Sequence, residues 1–521
     1  ELGLKRTVER LVAEVQDLYR SEDVPWVVGY SGGKDSTAVL QLIWLALSGI
    51  DPAERRKPVH VISTDTLVEN PVVAAWVTGS LHVMQKAARI QSLPIEPHRL
   101  TPTVEDSFWV NLIGRGYPAP RPMFRWCTER LKIKPSNRFI KRVIQTSGQA
   151  ILVLGTRKAE SAARAGRMTA LEAQRVRERL SPNSSLPNSL VYTPIEDWSN
   201  DEVWMFLMQV DNPWGYRNQD LQSMYQGATA DGECPLVVDT SSPSCGDSRF
   251  GCWVCTLVER DRSMSAMIQN DEEKEWMQPL LALRDALDVS DDRHLRDFRR
   301  MAGRVELYGE GDVPIPGPYL QQAREDWLRQ LLKAEAWIRR SGPPHVREIE
   351  LVSMDELAEI RRLWVEEKSE VEDNLPAIYE ECHGRPYPGE ERVEEPALAR
   401  EDFAILRKCC GDNELRYQLL RELLAVEARF RTMARRANLF DAMEKAFARS
   451  GFADEDEATQ EARLRKKARE RAQHGESASL EELLDELRST PPAAPVRGRR
   501  NGSLRTPVDP ESDEACQDPM V

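Results

Sequence analysis

Residues 24–49 read VPWVVGYSGGKDSTAVLQLIWLALSG, and the order of residue types in that stretch decides the fold. VPWVVGY is almost continuously apolar, as expected of a strand buried on both faces. SGGKDS interrupts it, and TAVLQLIWLALS then continues with the richness in Leu and Ala of a helix. A buried strand, a glycine turn and a helix in immediate succession open an α/β unit. The turn also carries chemistry. Gly32 and Gly33 let the backbone turn tightly and approach a ligand closely. The helix that follows points its N-terminus, with free N–H groups and the positive end of its dipole, at the same place, which favours an anion. Ser31 and Ser36 add hydroxyls, Lys34 a positive charge and Asp35 a carboxylate. The string is not a Walker A loop, which requires G-x-x-x-x-G-K-[ST].

Outward from this unit the alternation continues. Further strands are expected at 58–63, 94–99, 151–155 and 190–194, with helices at 4–20, 35–48, 70–91, 135–147 and 158–179. Strands separated by helices of this size form a parallel sheet covered on both faces. SPNSSLP at 181–187 reads as a loop. Residues 212–262 are rich in Gly, Pro, Ser and Cys and read as irregular. Strand signals fade beyond about 263, where patterns such as YLQQAREDWLRQLLKAEAWIRR predict helices. The expected division is 1–230 for the α/β domain, 231–262 for a cysteine segment, 263–450 for a helical domain and 451–521 for a polar, disordered tail holding one short helix, SLEELLDELR.

Composition sets bounds. The 521 residues are 41% hydrophobic, enough for a core, so a wholly disordered chain is excluded. No run reaches the roughly 18 apolar residues of a spanning helix, and the N-terminus has no apolar signal region. It starts with Glu1, as a trimmed chain would. A cytoplasmic protein without membrane contact is expected. The net charge of −14 means that a nucleic-acid partner must be met by a local basic patch. Residues 121–142, RPMFRWCTERLKIKPSNRFIKR, are such a patch, with eight Lys/Arg against one acidic residue. Arg125, Arg130, Lys132 and Lys134 are candidates for phosphate contacts, with Phe124 and Trp126 available for stacking. A solvated helix face is the plainer reading. Cys127, among these charges, is expected to be biased towards thiolate.

Four of the nine cysteines fall within 22 residues: Cys234, Cys245, Cys252 and Cys255, spaced C-x10-C-x6-C-x2-C. Four thiolates in one Gly/Pro/Ser-rich segment suit a shared zinc ion or a [4Fe-4S] cluster. Zinc ribbons more often have two C-x2-C pairs, and only one is present. Cys382, Cys409, Cys410 and Cys516 lack this context, although the vicinal pair Cys409–Cys410 resembles one reductase arrangement. The seven histidines are scattered and suggest no role.

SGGKDS resembles the PP-loop of the ATP pyrophosphatases, the superfamily of phosphoadenylylsulfate reductases and tRNA thiolation enzymes. The resemblance implies a five-stranded parallel sheet, with adenine over the strand ends and pyrophosphate in the loop. Asp65 in ISTDT stands where such proteins place a residue near the nucleotide. GTRKAES at 155–161, with Arg164 one turn on, resembles their G-x-R-x-x-E-S segment, which implies ATP contacts from Gly155, Arg157 and Arg164. RWCTERLKIKP is similar to their CT-x-x-x-K-x-x-P segment, in which Lys132 and Lys134 face substrate or phosphates. The SGGKDS, FRWCTERLKIKP and GECP…SCGDSRFGCWVC segments, followed by a long helical extension, are together similar to the DndC/SspD-like sulfurtransferases of bacterial DNA phosphorothioation. That resemblance favours iron–sulfur over zinc. It implies ATP and Mg2+ as cofactors, with Ser31, Lys34, Asp35, Ser36 and Cys127 in catalysis. The implied partners are DNA, a separate cysteine desulfurase as sulfur donor, and other subunits of the phosphorothioation machinery. Two other readings stand beside it: an enzyme that reduces phosphoadenylylsulfate, and a non-catalytic, ATP-sensing, DNA-binding subunit with a structural cluster.

Overall fold

The computed structural model describes residues 2–228, 250–389 and 400–473, apart from residues 178, 184–185, 310–311, 412, 432 and 434–435. Cys234 and Cys245, and the short helix expected at 479–488, lie outside the described residues. The strands are β1 (Trp26–Gly29), β2 (Val59–Thr64), β3 (Ile95–Leu100), β4 (Ala150–Val153), β5 (Ser181–Pro182) and β6 (Ser189–Tyr192). They form one sheet of order β3-β2-β1-β4-β6-β5. The first five in that order are parallel, and the two-residue β5 pairs antiparallel on β6. The five parallel strands are those expected from the sequence; β5 is an addition, in a stretch read as loop. Pro97 falls within β3, which is tolerable because β3 is an edge strand.

The central strand β1 distributes its side chains between two cores. Trp26 and Val28 pack with α1 (Leu2–Ser21), α2 (Lys34–Ser48), α3 (Pro71–Ile90) and α6 (Asn200–Gln209). Val27 faces the other side, where Ile140 of α4 (Lys134–Ser147) packs on Ile62, Leu152 and Val191. Burial on both faces explains the unbroken apolar run. α5 (Ala162–Glu172) is shorter than its pattern suggested: it stops at Glu172, and the chain reverses through Arg179 at φ 70° into β5. α7 spans Asn218–Gly227.

Beyond the sheet the chain is mainly helical: α8 (Arg262–Asn270), α9 (Gln278–Leu287), α10 (Gln321–Ser341), α11 (Met354–Arg362), α12 (Leu375–His383), α13 (Arg400–Cys409), α14 (Glu414–Arg431), α15 (Leu439–Ser450) and α16 (Glu455–Gln473). A small antiparallel pair, Leu307–Tyr308 with Val313–Pro314, interrupts them. α16 buries Ala458 and Ala462 against Val305, so the disorder expected from residue 451 does not extend over 455–473. A third core joins these helices to the segment 108–131: Phe108, Trp109, Ile113 and Trp126 pack with Trp253, Leu328 and Trp364. That core places Cys127 beside the C-x2-C turn.

Candidate active site

The strand order reverses between β1 and β4, because β2 and β3 lie to one side of β1 and β4 and β6 to the other. Loops after strands on either side of such a point diverge and leave a crevice at the carboxyl ends of the strands. A cavity of about 500 Å³ occupies that place, within the range of small-molecule sites. Its wall includes Ser31, Gly32, Gly33, Asp35, Ser36, Asp65, Glu69, Lys132, Gly155, Arg164, Tyr225 and Phe250.

The SGGKDS loop is pre-shaped. The Ser31 N–H donates to Ser36 Oγ at 3.2 Å, the Ser36 hydroxyl donates to the Gly33 carbonyl at 3.0 Å, and the Gly33 N–H lies 3.4 Å from Ser31 Oγ. Trp76 Nε1 holds the Gly32 carbonyl at 3.2 Å. Gly32 has φ 74°, and a Cβ there would stand 2.5 Å from Val77 Cγ2, so the position requires glycine. Across the crevice, a Cβ on Gly155 would lie 3.0 Å from the Asp35 backbone, so glycine there lets the end of β4 approach the first turn of α2.

Asp65 and Arg164 stand on the wall as expected. Asp65 pairs with Arg99, and its Oδ1 accepts from the Leu67 N–H at 2.8 Å. Arg164 pairs with Glu160. Two expectations need correction. Arg157 is buried and does not line the cavity; its Nε holds Asp35 Oδ1 at 2.7 Å and its Nη1 the Trp198 carbonyl at 3.1 Å. It positions the loop instead of clamping a ligand. Lys34 likewise turns to Asp35 Oδ2, at 2.9 Å, and lies outside the cavity wall.

The basic segment is not one open stripe. Arg130 and Lys134 both bind Asp106, at 2.7 and 3.0 Å. Burial pushes the Asp106 carboxyl up, but Lys134 and Arg130 outweigh it and hold it below the usual range. Arg121 pairs with Asp288. Arg125 is exposed, with its Nε on the Pro122 carbonyl at 3.2 Å. Lys132 instead joins the cavity, 3.5 Å from Glu69. The proximity of Cys252 and then of Glu69 favours its protonated form and raises its pKa against the cost of burial.

Three cysteines converge beside that lysine. Cys127 begins a π-helical turn, Thr128–Ile133, while Cys252 and Cys255 form a turn closed by the Cys255 N–H to the Cys252 carbonyl at 3.1 Å. This turn is fastened to the loop after β2: the Asn70 N–H donates to the Gly251 carbonyl at 3.1 Å and the Trp253 N–H to the Val68 carbonyl at 2.9 Å. Buried Thr256 donates to the Pro120 carbonyl at 2.7 Å, and Arg284 to the Cys255 carbonyl at 3.0 Å. Thr66 Oγ1 lies 3.2 Å from Cys252 Sγ. Burial, and then the proximity of Cys255, raises the Cys127 pKa, with Lys132 opposing. The expected thiolate bias of the free thiol is therefore reversed. Cys252 is also raised, by burial and then Glu69.

The donor set suits a metal centre. Cys127, Cys252 and Cys255 lie in one neighbourhood, and thiols are soft donors of the kind that hold zinc or iron–sulfur clusters. Sequence reasoning placed Cys127 apart from the other cysteines; the structure brings it beside Cys252 and Cys255. It also missed Thr66, Glu69, Tyr225 and Phe250. The position of TDTLVEN directly after β2, at the carboxyl edge of the sheet, was a usable signal for the first two. Tyr225 and Phe250 carried none.

Residues 25–257 match the family model of the phosphoadenosine phosphosulfate reductase domain. That match, over somewhat less than half the chain, shows what this stretch is similar to. An uncharacterised protein of Methanocaldococcus jannaschii is 26% identical over 246 residues, which are 47% of this chain and 39% of that protein. This chain thus covers well under two thirds of that relative. Among solved structures, the phosphoadenylyl-sulfate reductase of Candida auris in its phosphate complex aligns with 41% of this chain and 89% of its own, at 14% identity and a TM-score of 0.24. The U34-tRNA thiolase NcsA of Methanococcus maripaludis, with its [4Fe-4S] cluster, aligns with 53% of this chain and 78% of its own, at 15% identity and a TM-score of 0.25. Among the described residues, no helix is long and apolar enough to cross a membrane.

Proposed function

We propose that the chain is an ATP-dependent sulfurtransferase that activates a DNA backbone phosphate and takes part in replacing one of its oxygens by sulfur. One observation carries this reading. Lys132 and Glu69 line the phosphate-loop cavity and also lie beside Cys252, so a nucleotide bound there would share a wall with the thiols.

ATP, entering with Mg2+, is held by the N–H groups of Gly32 and Gly33, by the hydroxyls of Ser31 and Ser36, and by the N-terminus of α2. Arg99 and Arg164 on the wall offset the phosphate charge. A non-bridging oxygen of the DNA phosphate attacks the α-phosphorus, and pyrophosphate leaves. The DNA phosphate is now in anhydride linkage to AMP. A sulfide-level sulfur nucleophile attacks the DNA phosphorus, and AMP departs with the former DNA oxygen, so the substitution itself exchanges no electrons. Releasing sulfur from cysteine belongs to a separate desulfurase with a thiol reductant, and site choice on DNA to other subunits. Positioning and charge neutralisation are the chain's contribution. When held by Cys127, Cys252 and Cys255 alone, a [4Fe-4S] cluster would leave one iron without a protein ligand and would supply a sulfur-binding position beside the cavity; a fourth cysteine ligand, or zinc in its place, would make the centre structural.

The test is product analysis with ATP, Mg2+ and duplex DNA: AMP and pyrophosphate are expected, and ADP as the main product would contradict the reading. The domain match favours a second reading, reduction of phosphoadenylylsulfate to sulfite. Sulfite release from that nucleotide with a thiol reductant, and no ATP cleavage, would select it. Turnover of neither nucleotide would leave an ATP-sensing, DNA-binding subunit.

A further inference from the structure

The geometry points to a second metal site, remote from the cavity: His60, Glu96 and His98 form a binding site for one divalent transition-metal ion, with Zn2+ the best match to the donors. His60 lies on β2, and Glu96 and His98 on the neighbouring edge strand β3. In the parallel register His60 stands opposite Glu96 and Ile62 opposite His98. Residues two apart share a face, so one imidazole of β2 is flanked by the carboxylate and the imidazole of β3. None of the three lines the nucleotide cavity.

The three donor atoms lie within 4.8 Å of one another. His60 Nδ1 is 3.2 Å from His98 Nε2 and 3.1 Å from Glu96 Oε2, and His98 Nε2 is 3.8 Å from that same oxygen. Around a tetrahedral ion with bonds of about 2.0–2.1 Å, ligand atoms sit roughly 3.3 Å apart. The observed triangle is close to that size.

Without an ion, no single proton serves all three atoms of this triangle. If His60 Nδ1 donates to Glu96, the His98 Nε2 lone pair must share the same proton. If His98 Nε2 donates to His60, the Nδ1 lone pair faces the carboxylate. If both nitrogens carry protons, two donors face each other at 3.2 Å. A cation satisfies all three lone pairs at once. The charge of Arg142, which opposes a cation near His98, is offset by Glu96. Phe139 of α4 packs on both imidazoles, with ring centroids 5.5 and 4.7 Å away, and fixes their planes. The Glu96 side chain is 55% exposed, which leaves room for water as a fourth ligand. The ion would pin edge strand β3 to β2.

The test is zinc stoichiometry on the full chain, dialysed against Zn2+ and then against a weak chelator. His60→Gln and His98→Gln should each hold one zinc fewer per chain than the wild type. A Cys252→Ser, Cys255→Ser double variant should retain that zinc, and with Co2+ should show the absorption of a nitrogen/oxygen site without thiolate bands. Glu96→Gln, at a largely exposed position, keeps the fold testable should a histidine variant fail to fold; its zinc affinity should fall at least about tenfold. Equal zinc content in the wild type and both histidine variants, unchanged affinity in Glu96→Gln, or loss of all zinc in the cysteine double variant would each overturn the site.

Discussion

The phosphate loop and the thiol centre border the same cavity but are built in opposite ways. The loop is contiguous. Residues 29–36 follow one another, hydrogen bonds among Ser31, Gly33 and Ser36 shape the turn, and one strand and one helix fix it in place, with Trp76 and Arg157 as supports from outside. The thiol centre is assembled from three distant stretches, 66–70, 127–132 and 250–256, held by backbone bonds between loops and by Thr256 and Arg284. A contiguous site is written into the local sequence. A dispersed one exists only once the tertiary fold has formed, so it should fail through remote changes that leave the loop intact.

The sharpest way to break the contrast from the loop side is Gly32→Ala. The residue must adopt φ 74° with its Cβ against Val77. The expected result is loss of ATP binding by at least about a hundredfold together with destabilisation of roughly 1–3 kcal/mol, read by calorimetry and denaturant unfolding. The thiol centre should keep its metal. Joint loss of metal and nucleotide binding would mean that the two sites are not separable.

Next in size is Arg157→Ala. It removes a buried guanidinium from Asp35, and unfolding should become easier by roughly 3 kcal/mol. An unchanged stability with weakened ATP binding would instead return Arg157 to the ligand-clamping role expected of it.

From the thiol side, Cys127→Ser should cost as much iron as Cys252→Ser or Cys255→Ser, measured after anaerobic purification. Should Cys127→Ser keep full iron while Cys234→Ser and Cys245→Ser lose it, the centre would be the contiguous four-cysteine segment. Lys132→Ala should disturb nucleotide affinity and the thiol centre, whereas Lys134→Ala, which removes only a partner of Asp106, should change DNA binding weakly. Measuring both affinities on both variants separates these roles.

The smallest effect lies away from both sites. Lys57 has a pKa lowered to about 8, chiefly by burial, with Glu22 and Asp23 opposing. Its protonated form is disfavoured in the folded state. Stability should therefore rise with pH between about 8 and the ordinary lysine value, with a slope of at most about 1.4 kcal/mol per pH unit. Lys57→Met should flatten that rise without altering nucleotide or metal binding.

The same contrast explains what could be read in advance. The central strands β1 and β4 were legible because burial on both faces leaves unbroken apolar runs, WVVG and AILV. The glycine loop was legible because its constraint, φ 74° at Gly32, is local. Arg157 was misread because a buried arginine and a ligand-binding one look alike in sequence, and only the carboxylate of Asp35, 122 residues away, distinguishes them. The ion pairs of Lys134 and Arg130 were invisible for the same reason, their partner Asp106 lying more than 20 positions upstream. The reactivity expected of Cys127 followed from the neighbouring charges and ignored burial, which outweighs them.

The central claim is that the loop and the thiol centre act in sequence on one substrate. The most direct measurement follows pyrophosphate release and sulfur incorporation together. The chain, ATP, DNA, cysteine, a desulfurase and a thiol reductant are combined, and wild type is compared with Cys252→Ser. The account predicts one sulfur per AMP in the wild type, and in Cys252→Ser pyrophosphate release without sulfur in DNA. Sulfur incorporation by Cys252→Ser at the wild-type level, or incorporation without AMP formation, would contradict it.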